Sequence, residues 1–139
     1  MDKTSLITEK VRHYYFNEDI NCATTSLLVL AEIFGVQLEE QLVDAAVGLH
    51  GGGKYGAQCG LVEGPLMFIG ILGKAKGLDK EKTVELCYQY AQGFEAEFGS
   101  LVCRVLRPQG FDPQNPPHLC LELTINAILF AYSFICRNM

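Results

Sequence analysis

Apolar positions recur along the chain with a helical period, and almost no segment alternates strictly as a half-buried strand would. Residues 3–16 carry Leu6, Ile7, Val11, Tyr14 and Tyr15 on one stripe, which predicts a first helix. The stretch NEDIN (17–21) supplies turn and capping side chains. A second helix is expected from Cys22 to Phe34, stopped by Gly35, and a third from Leu38 to Val47, ending at Gly48. A glycine-rich loop follows, and a fourth helix is expected from Gly60 to Lys76, closed by Gly77. Asp79 caps a fifth, amphipathic helix to Phe98 that bears Val84, Leu86, Cys87, Tyr90, Ala91 and Phe94. Gly99–Ser100 restart the chain into a short helix, Leu101 to Leu106, and RPQGFDPQNPP (107–117) is a Pro/Gly-rich loop. Pro116–Pro117 then set up a last helix, His118 to Arg137. The expected fold is all-α: a compact bundle of five to seven helices, with the glycine-rich loop between the third and fourth.

At 139 residues the chain reads as a single domain large enough for a hydrophobic core. Apolar residues make up 49% and charged residues 19%, which excludes a disordered chain. The formal net charge is −5 and no basic run exceeds two residues, so no electrostatic footprint for nucleic acid or an anionic membrane is present. The longest apolar runs, near 65–73 and 127–136, fall short of the roughly 20 residues that span a bilayer. MDKTSLITEKVRHYYF lacks the order of a secretory signal, so a cytoplasmic location without membrane insertion is expected.

In that setting six cysteines are unusual, and metal or redox chemistry explains them better than a disulfide framework. Four fall at predicted helix starts: Cys22, Cys59, Cys103 and Cys120. A helix N-terminus offers unpaired N–H groups and partial positive charge, both of which favour thiolate. Cys87 and Cys136 sit within apolar helices and read as small buried hydrophobes. The four are 37, 44 and 17 residues apart, matching no compact zinc or ferredoxin signature, so a shared site has to be assembled by the fold. Each one, taken alone, also reads as an ordinary core cysteine.

The glycines ahead of Cys59 bear on the same question. Gly51, Gly52, Gly53 and Gly56, with Gly60 and Gly64 beyond the cysteine, can let the main chain approach a cofactor and point N–H groups into a nest for sulfur or an anion. The plainer reading is a tight interhelix connection. A nucleotide phosphate loop is excluded, because no strand precedes the segment and no G-K-[ST] ends it. LHGGG at 49–53 resembles a lipase oxyanion loop, but no G-x-S-x-G elbow accompanies it. His50 borders the loop, either stabilising it or donating to a cofactor. His118, two residues before Cys120, is a candidate extra ligand, and Glu63 is expected to serve the start of the fourth helix.

Taken together, INCATTSLL (20–28), GGGKYGAQCGLVEGPLMFIG (51–70), FEAEFGSLVCRVL (94–106) and HLCLEL (118–123) resemble the C-GCAxxG-C-C family of redox-active proteins. The resemblance covers nearly the whole chain. It places the family's four cysteines on Cys22, Cys59, Cys103 and Cys120, and its CGAxxG motif on Cys59-Gly60-Leu61-Val62-Glu63-Gly64, where Leu61 replaces the alanine. It implies redox activity or metal binding. A similar four-cysteine domain in split-Soret cytochromes is associated with a [2Fe–2S] cluster, whereas this chain carries no C-x-x-C-H haem motif.

Three readings stay open at the level of sequence. The four cysteines jointly bind a metal centre, a [2Fe–2S] cluster first and zinc as the alternative, serving electron transfer or redox sensing with a partner redox protein. Two of them cycle between dithiol and disulfide. Or the chain is a structural helical interaction protein whose cysteines merely pack. Stripes at Leu27, Leu30, Phe34, Phe68, Phe94, Phe98 and Phe130 add the expectation of a homodimer.

Overall fold

A computed structural model describes residues 2–139. Seven right-handed helices form among them, and the chemistry of their ends explains where each begins. Asp2 accepts from the Ser5 amide (2.9 Å) and starts α1, Lys3–Arg12, which widens into a π-helical turn, His13–Asn17. Asn21 caps α2, Cys22–Phe34, through the Thr24 amide (2.8 Å), and Gly35 ends it at φ 68°. The third helix is shorter than its apolar pattern suggested. Glu39 is extended, so α3 runs Glu40–Ala45 and closes in a 3-10 turn, Ala46–Gly48.

After the glycine segment come α4, Gly60–Ala75, and α5, Lys80–Phe98, the latter capped by Asp79 on the Lys82 amide (2.8 Å) and stopped by Gly99 at φ 91°. A single turn, α6 (Cys103–Leu106), and the long α7 (Leu121–Asn138) complete the bundle. The last helix begins three residues later than expected, because His118 takes φ +58° and the chain from 107 to 120 stays in turns.

The core is built on the pair α2 and α4, flanked by α5 and by α1 packed on α7. Leu27, Leu30, Val62, Phe68, Ile69, Phe94 and Ile128 are fully buried; each such side chain contributes on the order of 1.5–3 kcal/mol of transfer free energy. Of the stripe that suggested a homodimer, Leu27, Leu30, Phe68 and Phe94 are thus buried within the chain itself. The apolar run at 65–73 is core as expected, and among the described residues no helix is long and apolar enough to cross a membrane.

One polar detail keeps α4 intact. Pro65 lies inside it and has no N–H, which frees the carbonyl of Leu61 four residues earlier. The fully buried Tyr90 of α5 donates its hydroxyl to that oxygen at 3.1 Å. Tyr90→Phe should therefore strand a buried carbonyl and lower unfolding free energy by about 1–2 kcal/mol. Chemical denaturation would measure it, and an unchanged midpoint would show that the bond carries no net stability.

Candidate metal centre

Each of the four cysteines stands at a helix N-terminus. Cys22 opens α2 directly after its Asn21 cap. Cys59 is the cap of α4, its Sγ accepting from the Leu61 amide at 3.4 Å. Cys103 opens α6, and Cys120 immediately precedes α7.

Cys59 and Cys103 are set by a minimal piece of sheet. Gln58 and Val102 form one isolated antiparallel bridge, flanked by bonds from the Cys59 amide to the Leu101 carbonyl (2.8 Å) and from the Cys103 amide to the Ala57 carbonyl (2.6 Å). Successive side chains on paired strands point to opposite faces, so the two cysteines share the face opposite Gln58 and Val102. Cys22 joins them through the crossing of α2 and α4. A Cβ added to Gly60 would stand 2.5 Å from Cys22 Sγ and 3.0 Å from the Ala23 nitrogen, so only glycine permits that approach.

All four cysteines line one cavity of about 980 Å³, together with Tyr15, His50, Arg107 and His118. Residues scattered through the sequence are thus brought to one place. Arg107, which the sequence reading passed over as part of a loop, donates from Nη1 to Cys120 Sγ at 3.8 Å, and its guanidinium lies over the Phe111 ring at 4.2 Å. By its sequence pattern Tyr15 belongs only to a core stripe. Buried to 2% exposure, it bonds through its hydroxyl to Thr124 Oγ1 at 2.6 Å and lines the cavity beside the cysteines. His118 stacks on Tyr15 with centroids 4.4 Å apart, and its Nε2 lies 2.9 Å from Asp19 Oδ1. The Nδ1 of His50 is buried with no hydrogen-bond partner, and burial, with Lys54 and Arg107 nearby, holds that ring below the ordinary histidine range.

The glycines act by shape. Gly51, Gly52, Gly53 and Lys54 all take positive φ (69°, 64°, 66° and 70°), a short left-handed turn that glycine enters at no steric cost. A Cβ on Gly51 would stand 2.9 Å from Cys103 Sγ. The amides of Lys54, Tyr55, Gly56 and Ala57 bond to carbonyls at His50, Gly52 and Gly51 inside the turn, so the Gly56 N–H is used within the loop. Gly56 lies under Arg104, Gly64 under Ser26 and Ala23, while Gly52 has only Ala57 near it and Gly53 faces open space. None of the six glycines named from sequence is among the residues lining the cavity, although Gly51 and Gly60 lie directly against the Cys103 and Cys22 sulfurs. Leu61, in place of the family's alanine, is accommodated in the core at 1% exposure.

Two further expectations change. Helix N-termini were expected to favour thiolate, but at Cys22, Cys59 and Cys103 burial dominates and raises the thiol. Cys22 lies well above the usual range, Cys59 is pushed up to about 12, and Cys103 is raised, each also by the charges of its neighbouring cysteines. Cys136 is exposed, not buried, because it lies on the outward face near the end of α7. Cys87 is partly buried, its thiol 3.9 Å from the Leu66 carbonyl. Glu63, in the first turn of α4, accepts from Gln58 Nε2.

Four soft sulfur donors lining one cavity fit a cationic, thiophilic centre. Among the described residues no group of three or more His, Cys, Asp or Glu side chains is drawn together tightly enough for a single metal ion.

No curated protein and no solved structure is significantly similar to the chain. The sequence model of one family matches residues 20–134, a span that includes all four cavity cysteines and excludes Cys136. The chain belongs to that family, described as "Putative redox-active protein (C_GCAxxG_C_C)".

Proposed function

We propose that Cys22, Cys59, Cys103 and Cys120 jointly hold an iron–sulfur cluster, a [2Fe–2S] centre in the first instance, and that the protein serves one-electron transfer or redox sensing. The observation that carries this reading is the convergence of four sulfurs from four separate helix starts on one cavity. Four thiolates are the standard ligand set for such a cluster, and the bound group would supply a reversible one-electron couple. The chain's own part is to hold the sulfurs in a buried setting, with Arg107 donating to one of them and Tyr15 and Leu61 closing the cavity wall. Hydrogen bonds to sulfur and burial are the levers by which a protein tunes such a couple.

Zinc on the same four sulfurs and a dithiol–disulfide cycle between two of them are the alternatives that the following measurement separates. Protein purified without oxygen, or reconstituted with ferrous iron and sulfide, should carry stoichiometric iron and acid-labile sulfide with visible absorption that bleaches on reduction. Colourless protein with one tightly held zinc, or with no metal after reconstitution, would overturn the reading.

A further inference from the structure

The surface directly over Cys103 combines features that the rest of the molecule keeps apart. Tyr55 (79% exposed), Val102 (37%) and Val105 (59%) are three of the seven large apolar side chains left exposed among the described residues. They belong to two segments held together as one surface. The Gln58–Val102 bridge joins them, and Arg104 donates from Nε to the Gly56 carbonyl (3.0 Å) and from Nη2 to the Tyr55 carbonyl (3.3 Å), its guanidinium 5.3 Å from the Tyr55 ring centre. Cys103 lies just beneath, only 7% exposed, with the Gly51 main chain against its Sγ.

Charge sets this surface apart as well. The chain carries a net charge of −5, yet Lys54 and Arg104 flank Tyr55 here, while Arg107 lies in the cavity behind them, which Asp19, Asp44 and Asp112 also line. Among the described residues none of the three forms an ion pair with a carboxylate. Glu63, at the edge, is engaged by Gln58.

An apolar centre with an unpaired cationic rim is the form of a small, transient, electrostatically steered contact. We propose that this surface docks an acidic redox carrier protein that exchanges one electron with the four-cysteine centre by way of Cys103. One electron leaves the reduced carrier and enters the centre, or the reverse; no bond is made or broken. A two-fold contact with a second copy is disfavoured, since it would set these cations against themselves. The biological sense of the docking rests on the proposed redox centre, but the surface is tested without it.

Isotope-labelled protein as purified would be titrated, by NMR, with a plant-type [2Fe–2S] ferredoxin as acidic probe and with cytochrome c as basic control. Ferredoxin should shift the amides of residues 54–57 and 102–105, and the effect should weaken as ionic strength rises through about 0.1 M. Cytochrome c should leave them unmoved. Lys54→Glu and Val105→Asp, both exposed positions, should keep the helical circular dichroism and each weaken ferredoxin binding about tenfold. Shifts centred elsewhere, equal binding of both carriers, no binding of ferredoxin, or shifts at these residues on concentrating the protein alone would each overturn the docking proposal. Failure to assemble iron and sulfide would count against the proposed function only and would leave the binding result standing.

Discussion

Cys22→Ser, Cys59→Ser, Cys103→Ser and Cys120→Ser should each yield a helical protein that no longer retains stoichiometric iron and sulfide after anaerobic reconstitution. The substitution keeps shape but replaces a soft donor by a hydroxyl that does not ionise near neutral pH, so the ligand is lost while the fold survives. The change in stability should stay near about 1 kcal/mol, the cost of an imperfectly bonded buried hydroxyl. Cys87→Ser and Cys136→Ser are the controls. The first thiol reaches only the Leu66 carbonyl at 3.9 Å and the second is exposed, and neither lines the cavity. Iron, sulfide and the visible spectrum, measured alongside circular dichroism, separate loss of the centre from loss of the fold. Retention of the full complement in any one of the four variants would remove that residue from the ligand set.

The second large effect is steric. Gly64→Ala would place a Cβ 2.0 Å from Ser26 Oγ and 2.6 Å from the Ala23 carbonyl oxygen. The hydroxyl can rotate, but the carbonyl belongs to α2, so the two central helices must separate. The expected loss is about 3 kcal/mol, the upper end of ordinary overpacking, with reduced metal retention because Cys22 moves with α2. Gly70→Ala in the same helix is the counterpart. Nothing lies within 4 Å of its added Cβ, and a helical glycine exchanged for alanine gains about 0.5–1 kcal/mol. Denaturant midpoints of the two variants should move in opposite directions. A common shift would mean that the α2–α4 approach is looser than described.

Much of the scaffold could be read from local chemistry. Asn21 and Gly35 bracket α2, and Asp79 and Gly99 bracket α5, at the residues their side chains and φ preferences favour. The four cysteines were legible as a set for the same reason, since each lies beside a recognisable helix start. What stayed hidden depends on contacts distant in sequence. A single bridge between Gln58 and Val102 leaves no alternation to detect. The π-helical turn at His13–Asn17 carries no sequence signal that we can identify. Arg107 reads as a loop residue until the fold sets it beside Cys120. The thiols were misjudged because helix dipoles are visible in a sequence and desolvation is not. Cys136 was misjudged because an apolar helix near its end does not announce which face turns outward.

The sulfur donors come from the first turns of four different helices, the last of them beside Leu121. A fragment ending anywhere before Cys120 holds at most three, and even these converge only when distant segments have docked. On the proposed function, maturation would be ordered: the polypeptide would have to be essentially assembled before it could be loaded, and a loaded centre would in turn lock the tertiary arrangement that made it possible.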